Sequence, residues 1–402
     1  MLDRRFWALF CTACWPAFVF GAFDPTDVVQ IEASASLLRD DNLYRLPDVD
    51  PRIFGISPEQ TSDTVRVLGI GLKLDKELSR QRVIADLKLT DTTFDNNPLL
   101  DNSGYDGGLL WHWRVGNYWD GELGARRRKY QAGFANTRLT TKDIITSESY
   151  VASGGYLFHP RWRIGGELRA RDYSHSALSR QSSDLETSGA AIVLTYRTPA
   201  ANSIGAELRR NEGEYPNRQL IGVAAFDNSY TENEANAIVA WRLSGVTNFN
   251  GTLGWTERRH KNFPARDFSG LTGKLSATWE PTGKLRFTVT GIRDIRTLED
   301  EVNNYVLVNS IAVSPSWAVT SKFALQGSLI REEREYLGDP GVVVTGGPTR
   351  EDTVKTARVG IIYTPLRYID LTLSYERGDR RSNQFLNDFD YESWFGSLRL
   401  RF

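Results

Sequence analysis

The 402-residue chain is close to electroneutral, with 49 Lys and Arg against 50 Asp and Glu, and it is rich in Gly (34), Tyr (16) and Trp (11) but holds only two Cys. No long run of one charge sign occurs, so nothing marks a nucleic-acid partner. Beyond the N-terminal segment no apolar run reaches the roughly 18 residues that a spanning helix needs, which excludes a helical membrane protein.

The first stretch, MLDRRFWALFCTACWPAFVFGA, reads as a secretory signal: Arg4 and Arg5 form the charged tip, Phe6 to Phe20 the apolar core, and Gly21-Ala22 a small-residue exit before Phe23. The expected division is therefore a signal peptide over 1–22 and one domain over 23–402. Cys11 and Cys14 leave with the signal, so no disulfide, thiolate metal site or cysteine nucleophile is expected in the mature chain.

From Val28 onward, segments of about 10 to 14 residues alternate apolar with polar or small residues, the period of a two-faced strand. The first, 28–38, sets Ile31, Ala33, Ala35 and Leu37 on one face and runs into Asp40, Asp41 and Asn42. These three superficially suggest a calcium loop, but the acidic series with a central Gly and closing Glu is absent, so a polar strand end at a rim is expected. In PRWRIGGELRARDY, Trp162, Ile164, Leu168 and Ala170 oppose Arg163, Glu167, Arg169 and Arg171. Turn signals predict eighteen strands, from 28–38 and 62–75 through 301–314 and 321–335 to 389–402. Connections alternate between short ones (GN, HPR, TPAA, SGV, PTG, TPLR) and mostly longer polar ones, with SPSWAVTS the longest of the short class.

An even number of strands with short turns at one end and long loops at the other predicts an all-β, antiparallel up-and-down barrel in the bacterial outer membrane. Trp113, Trp119, Tyr156, Phe158, Trp162, Tyr196, Trp241, Phe249, Trp279, Trp317, Tyr363 and Tyr368 fall near the short turns, as an interfacial girdle requires. The last segment, SWFGSLRLRF, alternates to a terminal Phe402 and resembles the assembly signal of bacterial outer-membrane barrels.

His112, His159, His175 and His260 lie on separate segments without metal-ligand spacing, and neither a nucleophile elbow nor a phosphate loop occurs, so no enzyme, metal or cofactor is expected. Arg163, Glu167, Arg169, Glu207, Arg209, Arg242, Arg286 and Arg358 are expected to line the lumen, alongside Arg114, Glu122, Lys274 and Glu376. Eighteen strands leave that lumen wet.

Asp40, Asp41, Asn42, Leu43, Tyr44, Arg45, Leu46 and Pro47, after DPTDVVQIEASASLLR, resemble the start of the EpsL-type exopolysaccharide-biosynthesis outer-membrane proteins. That resemblance implies an outer-membrane barrel acting as passive channel or scaffold in export of an exopolysaccharide, with periplasmic export proteins and membrane lipid as partners. It carries over no catalytic residue; Asp40, Asp41, Asn42 and Arg45 stand as its rim motif. The alternatives are an uptake porin, general or substrate-specific, which would fold a long loop into its pore, with 39–61 and 214–232 as candidates; a barrel enzyme acting on polysaccharide or lipid; and an adhesin-like barrel.

Overall fold

The computed structural model describes residues 27–136, 140–217, 219–221, 224–296, 305–337 and 349–402. The expected signal peptide lies outside them. Nine strands come first: β1 (Val29–Asp40), β2 (Asp63–Leu78), β3 (Gln81–Phe94), β4 (Asn102–Val115), β5 (Trp119–Gln131), β6 (Ile144–His159), β7 (Trp162–His175), β8 (Leu185–Arg197) and β9 (Ser203–Glu214). A small hairpin, β10 (Gln219–Ile221) and β11 (Ala224–Phe226), interrupts them. Nine more follow: β12 (Tyr230–Ser244), β13 (Thr247–His260), β14 (Phe268–Trp279), β15 (Leu285–Arg296), β16 (Val306–Ala318), β17 (Phe323–Glu335), β18 (Glu351–Leu366), β19 (Ile369–Ser382) and β20 (Phe389–Arg401).

Apart from the hairpin, these make one 18-stranded sheet in which every pairing is antiparallel between chain neighbours, β9 passing to β12, until β20 returns to β1. The sheet is thus a closed barrel. At the seam Glu32↔Arg401 through Asp40↔Ser393 are in register, and Ile31 and Phe402 exchange backbone hydrogen bonds of 2.9 and 2.8 Å. Closure follows from the solvent: hydrocarbon offers no partner to an unpaired N–H or C=O, so a spanning sheet can have no edge.

Alternation sorts each strand into two faces. One carries exposed apolar side chains, among them Leu68, Ile70 and Leu72 on β2, Ile164 and Leu168 on β7, Ile204 and Leu208 on β9, and Leu371 and Leu373 on β19. Only lipid accommodates an apolar face so continuous. Near the short turns this face is aromatic, and directly paired rings stack across strands: Trp119 on Tyr156 at 4.6 Å and Phe323 on Tyr363 at 4.3 Å.

Most strand ends fall within three residues of their expected positions, and one strand is displaced further at both ends. The strand read as 301–314 is β16, 306–318, and SPSWAVTS belongs to the turn only in its last three residues, because Ser314–Ala318 continue the ladder against β15, with Phe287 facing Pro315. Pro315 has no N–H to give β17, and the β16–β17 pairing is interrupted between Val313↔Leu329 and Ser316↔Gln326. The proline is tolerated because its ring lies over Gly327, where a Cβ would come within 2.9 Å of it.

Leu208 is 67% exposed near the middle of β9. Replacing it with Arg is expected to destabilise the folded barrel by ~2–4 kcal/mol, the cost of a cation near the bilayer midplane, measured as a lowered denaturant midpoint in lipid vesicles.

Candidate functional site

Two features bear on function, the charged face of the wall and the packing of the long-loop mouth. On the wall, Arg163, Glu167, Arg169, Glu207, Arg209, Arg242, Arg286 and Arg358 all occupy the parity opposite the apolar one. The structure brings four of them together. Arg209 donates to Glu167 at 3.0 Å and Glu207 at 2.9 Å, and Arg169 also holds Glu167 at 2.8 Å. The network continues through Asn236, which donates to Glu207 and Glu234, to Asn211, Glu232 and Arg258. Arg163 stands apart on Asp120 at 3.0 Å, Arg358 on Glu376 at 2.6 Å, and Arg286 on Glu280. Arg242 sits near a short turn, where its backbone N–H donates to Asn202.

A cleft of about 570 Å³ opens on this face and spans from β3 to β12. In one register row across it lie Asp86, Gly108, Arg126, Ser149, Arg171, Thr187 and Gly213, so small and hydroxyl side chains separate two guanidinium groups. Arg126 is held by Asp86 at 3.2 Å and Asp106 at 2.7 Å. Among the described residues no carboxylate pairs with the Arg171 side chain, which leaves its positive charge uncompensated in the row.

The mouth is packed shut by side chains over part of its area. Residues 41–62 fold back and bury Tyr44, Leu46 and Ile56 against Val65, Phe94 and Leu100, with Phe134 edge-on to Tyr44 at 4.7 Å. Asp63, fully buried, accepts the backbone N–H groups of Asp95 and Asn96 (2.9 and 3.1 Å) and the side-chain amide of Asn97 (2.7 Å). Tyr44 donates to Asn97 at 2.8 Å, and burial, together with Asp63 nearby, pushes its phenol up to about 12, so it remains a donor at neutral pH. The segment after β5 then crosses the opening: Arg380 of β19 donates to the Ala135 carbonyl and Arg334 of β17 to Asn136 (3.2 Å). In an 18-stranded ring β17 stands on the far side from β5. A second packed bay holds Arg258 over the ring of Tyr230 at 4.1 Å, and Tyr305 donates to the Arg266 carbonyl at 2.7 Å.

The Asp40–Pro47 motif ties this mouth to the barrel seam. Asn42 accepts from Leu46 N–H (2.8 Å) and donates to the carbonyls of Leu46 (2.8 Å) and of Asp390 on β20 (2.9 Å). Asp41 accepts from Glu392 N–H at 2.7 Å. Arg45, at φ 56°, clamps Asp40 with two 2.8 Å bonds and lies 3.6 Å above the Tyr391 ring. Two aspartates and an asparagine thus serve as a turn and a clasp; among the described residues no His/Cys/Asp/Glu group could hold a metal ion.

Of the two candidates for the pore loop that an uptake porin would carry, 39–61 packs inward, while 214–232 includes residues outside the described ones. The segment around Phe134–Asn136 was not foreseen. Its only sequence signal is one aromatic residue between Gly and Ala, since its partners, Arg334 and Arg380, lie some 200 residues away and more.

A family described as "Putative beta-barrel porin 2" matches residues 228–402. No curated protein matches the chain. Among solved structures, Pseudomonas aeruginosa OpdK with vanillate is similar at a TM-score of 0.50 and 12% identity, over 93% of this chain and 99% of that one. OccK2 (OpdF) of the same organism, in complex with glucuronate, is similar at 0.50 and 10% identity, over 95% and 100%. At these identities the likeness is one of fold. With the lipid-facing belt it makes the chain an outer-membrane β-barrel of porin-like fold.

If the motif clasps the mouth to the seam, Asn42→Ala removes three hydrogen bonds at once and frees 43–62. The expected result is a folded barrel whose single-channel conductance in planar bilayers is higher and noisier than that of the parent.

Proposed function

We propose that the protein is a substrate-selective passive channel for small anionic solutes, with Arg163, Glu167, Arg169, Glu207, Arg209, Arg242, Arg286 and Arg358 lining its lumen. The carrying observation is the mouth, where the clasped 41–62 segment and the Phe134–Asn136 crossing narrow the entrance. A conduit for polymer needs an unobstructed bore, whereas a narrowed entrance above a charged wall suits single small molecules. Selection then rests on size at the mouth and on charge within. Most wall arginines are neutralised by carboxylates and stiffen the wall, while Arg171 offers its charge to a passing anion, flanked by the hydroxyls of Ser149 and Thr187. Solutes with a carboxylate and several hydroxyls match that row, and they would need no energy source beyond their own gradient.

A second reading, a passive channel or scaffold for exopolysaccharide working with periplasmic export proteins, draws on the Asp40–Pro47 resemblance. The clasp formed by those residues gives them a task that does not involve sugar, which favours the first reading.

In planar bilayers the purified protein is expected to conduct and to prefer chloride over potassium. Arg171→Glu should lower that permeability ratio by about twofold or more, as expected for reversing one charge on the wall of a narrowed aqueous pore. Small carboxylates added to one side should reduce the current, and a long polysaccharide should not. A protein without conductance, or one whose ion preference ignores Arg171→Glu, is incompatible with the proposal.

A further inference from the structure

The wall has a breach between β14 and β15. Their ladder climbs from Trp279↔Phe287 to Gly273↔Arg293 and stops, so Phe268–Thr272 lie beside β13 without a β15 partner, and Asp294–Arg296 pair with β16 alone. Backbone groups exposed there would be costly beside lipid. Arg293 relieves this by donating to the Leu271 carbonyl at 3.1 Å and to Asn309 at 2.6 Å, and a cluster of Phe268, Ile295, Tyr305 and Leu307 packs nearby.

On the lipid side this leaves a trough of about 410 Å³. Leu253, Leu271, Leu275 and Ile311 are its exposed apolar walls, and Gly273 and Gly291 keep its floor low. A Cβ on Gly273 would fall 2.5 Å from the Thr252 carbonyl, while one on Gly291 would meet nothing within 4 Å. The end toward the long loops is polar, with Arg293, Arg331 and Glu333. Arg331 pairs with Glu333 at 2.8 Å, but among the described residues no carboxylate pairs with Arg293. An apolar trough therefore ends at one uncompensated guanidinium, at the level where the outer face changes from apolar to charged.

We infer that this trough is a binding site for a phosphate-headed acyl lipid of the outer leaflet. An acyl chain lies against Leu253, Leu271, Leu275 and Ile311, and the phosphate accepts from Arg293 and Arg331, whose planar forks match its oxygens. Charge complementarity selects this occupant. A neighbouring outward trough of about 490 Å³, with Ile192, Leu208, Ala235 and Trp255, has its arginine Arg210 paired with Glu212 at 3.2 Å and serves as an internal comparison. A lipid seated at the breach would cover the place where the ladder between neighbouring strands stops short.

The test is native mass spectrometry of the delipidated barrel in neutral detergent, titrated with phosphatidylglycerol or with diacylglycerol of the same chains. One phosphatidylglycerol per barrel should be retained, with diacylglycerol at least about tenfold weaker. Gly291→Leu fills the trough without touching the wall, and Arg293→Ala removes the charge; each should weaken phosphatidylglycerol retention by about tenfold, while Arg210→Ala leaves it unchanged. Equal retention of both lipids, retention unaffected by Gly291→Leu, or a dimer of barrels that excludes lipid would each overturn the inference.

Discussion

The absence of any hydrogen-bonding solvent in hydrocarbon is the constraint on which the rest of this structure depends. Because no strand edge is tolerated, β20 must meet β1, and the pairing from Glu32↔Arg401 to Asp40↔Ser393 is what turns eighteen strands into a tube with two separate faces. Closure also explains the side-chain code. One parity of every strand must satisfy lipid, so the other is free to carry charge, and the carboxylate–arginine network around Glu167, Glu207 and Arg209 can exist in the midst of a membrane protein. The β14–β15 breach shows the same rule at work, since Arg293 supplies a donor where the ladder stops.

Closing the tube creates a second problem, a bore wide enough to leak. The chain meets it at the long-loop end with an ordinary protein core in miniature. Tyr44, Leu46, Ile56, Val65, Phe94 and Leu100 bury one another, and Asp63 satisfies the backbone of the adjoining turn. Arginines reach in from β17 and β19 to an amide and a backbone oxygen, because their length and fixed charge let them bridge where shorter side chains would leave a gap. The clasp at Asp40–Arg45 links the two solutions: the residues that end β1 at the seam are those that launch the first inward segment.

Much of the wall is legible in the sequence because its determinants are local. A strand with lipid on one side and water on the other repeats every two residues, and Trp162, Ile164 and Leu168 against Arg163, Glu167 and Arg169 carry that pattern without reference to any neighbour. Alternating short and long connections give strand count and polarity in the same way. The misplaced β16 marks the limit of such reasoning. Pro315 normally ends a strand, and here it is kept in one by Gly327, which belongs to a different strand and is invisible from Pro315's own surroundings.

Sequence alone therefore determined the barrel, its strand number, its location in the outer membrane and the parity of its charged residues, since each rests on periodicity within a segment or on the lengths of successive connections. Tertiary structure decided which charges neutralise one another, which loops fill the mouth, and what the Asp-Asp-Asn stretch does. Those properties depend on contacts such as Asn42 with Asp390 or Arg380 with Ala135, joining residues hundreds of positions apart. Only closure of the barrel brings such pairs within hydrogen-bonding distance, and nothing in the local pattern of either partner encodes the other.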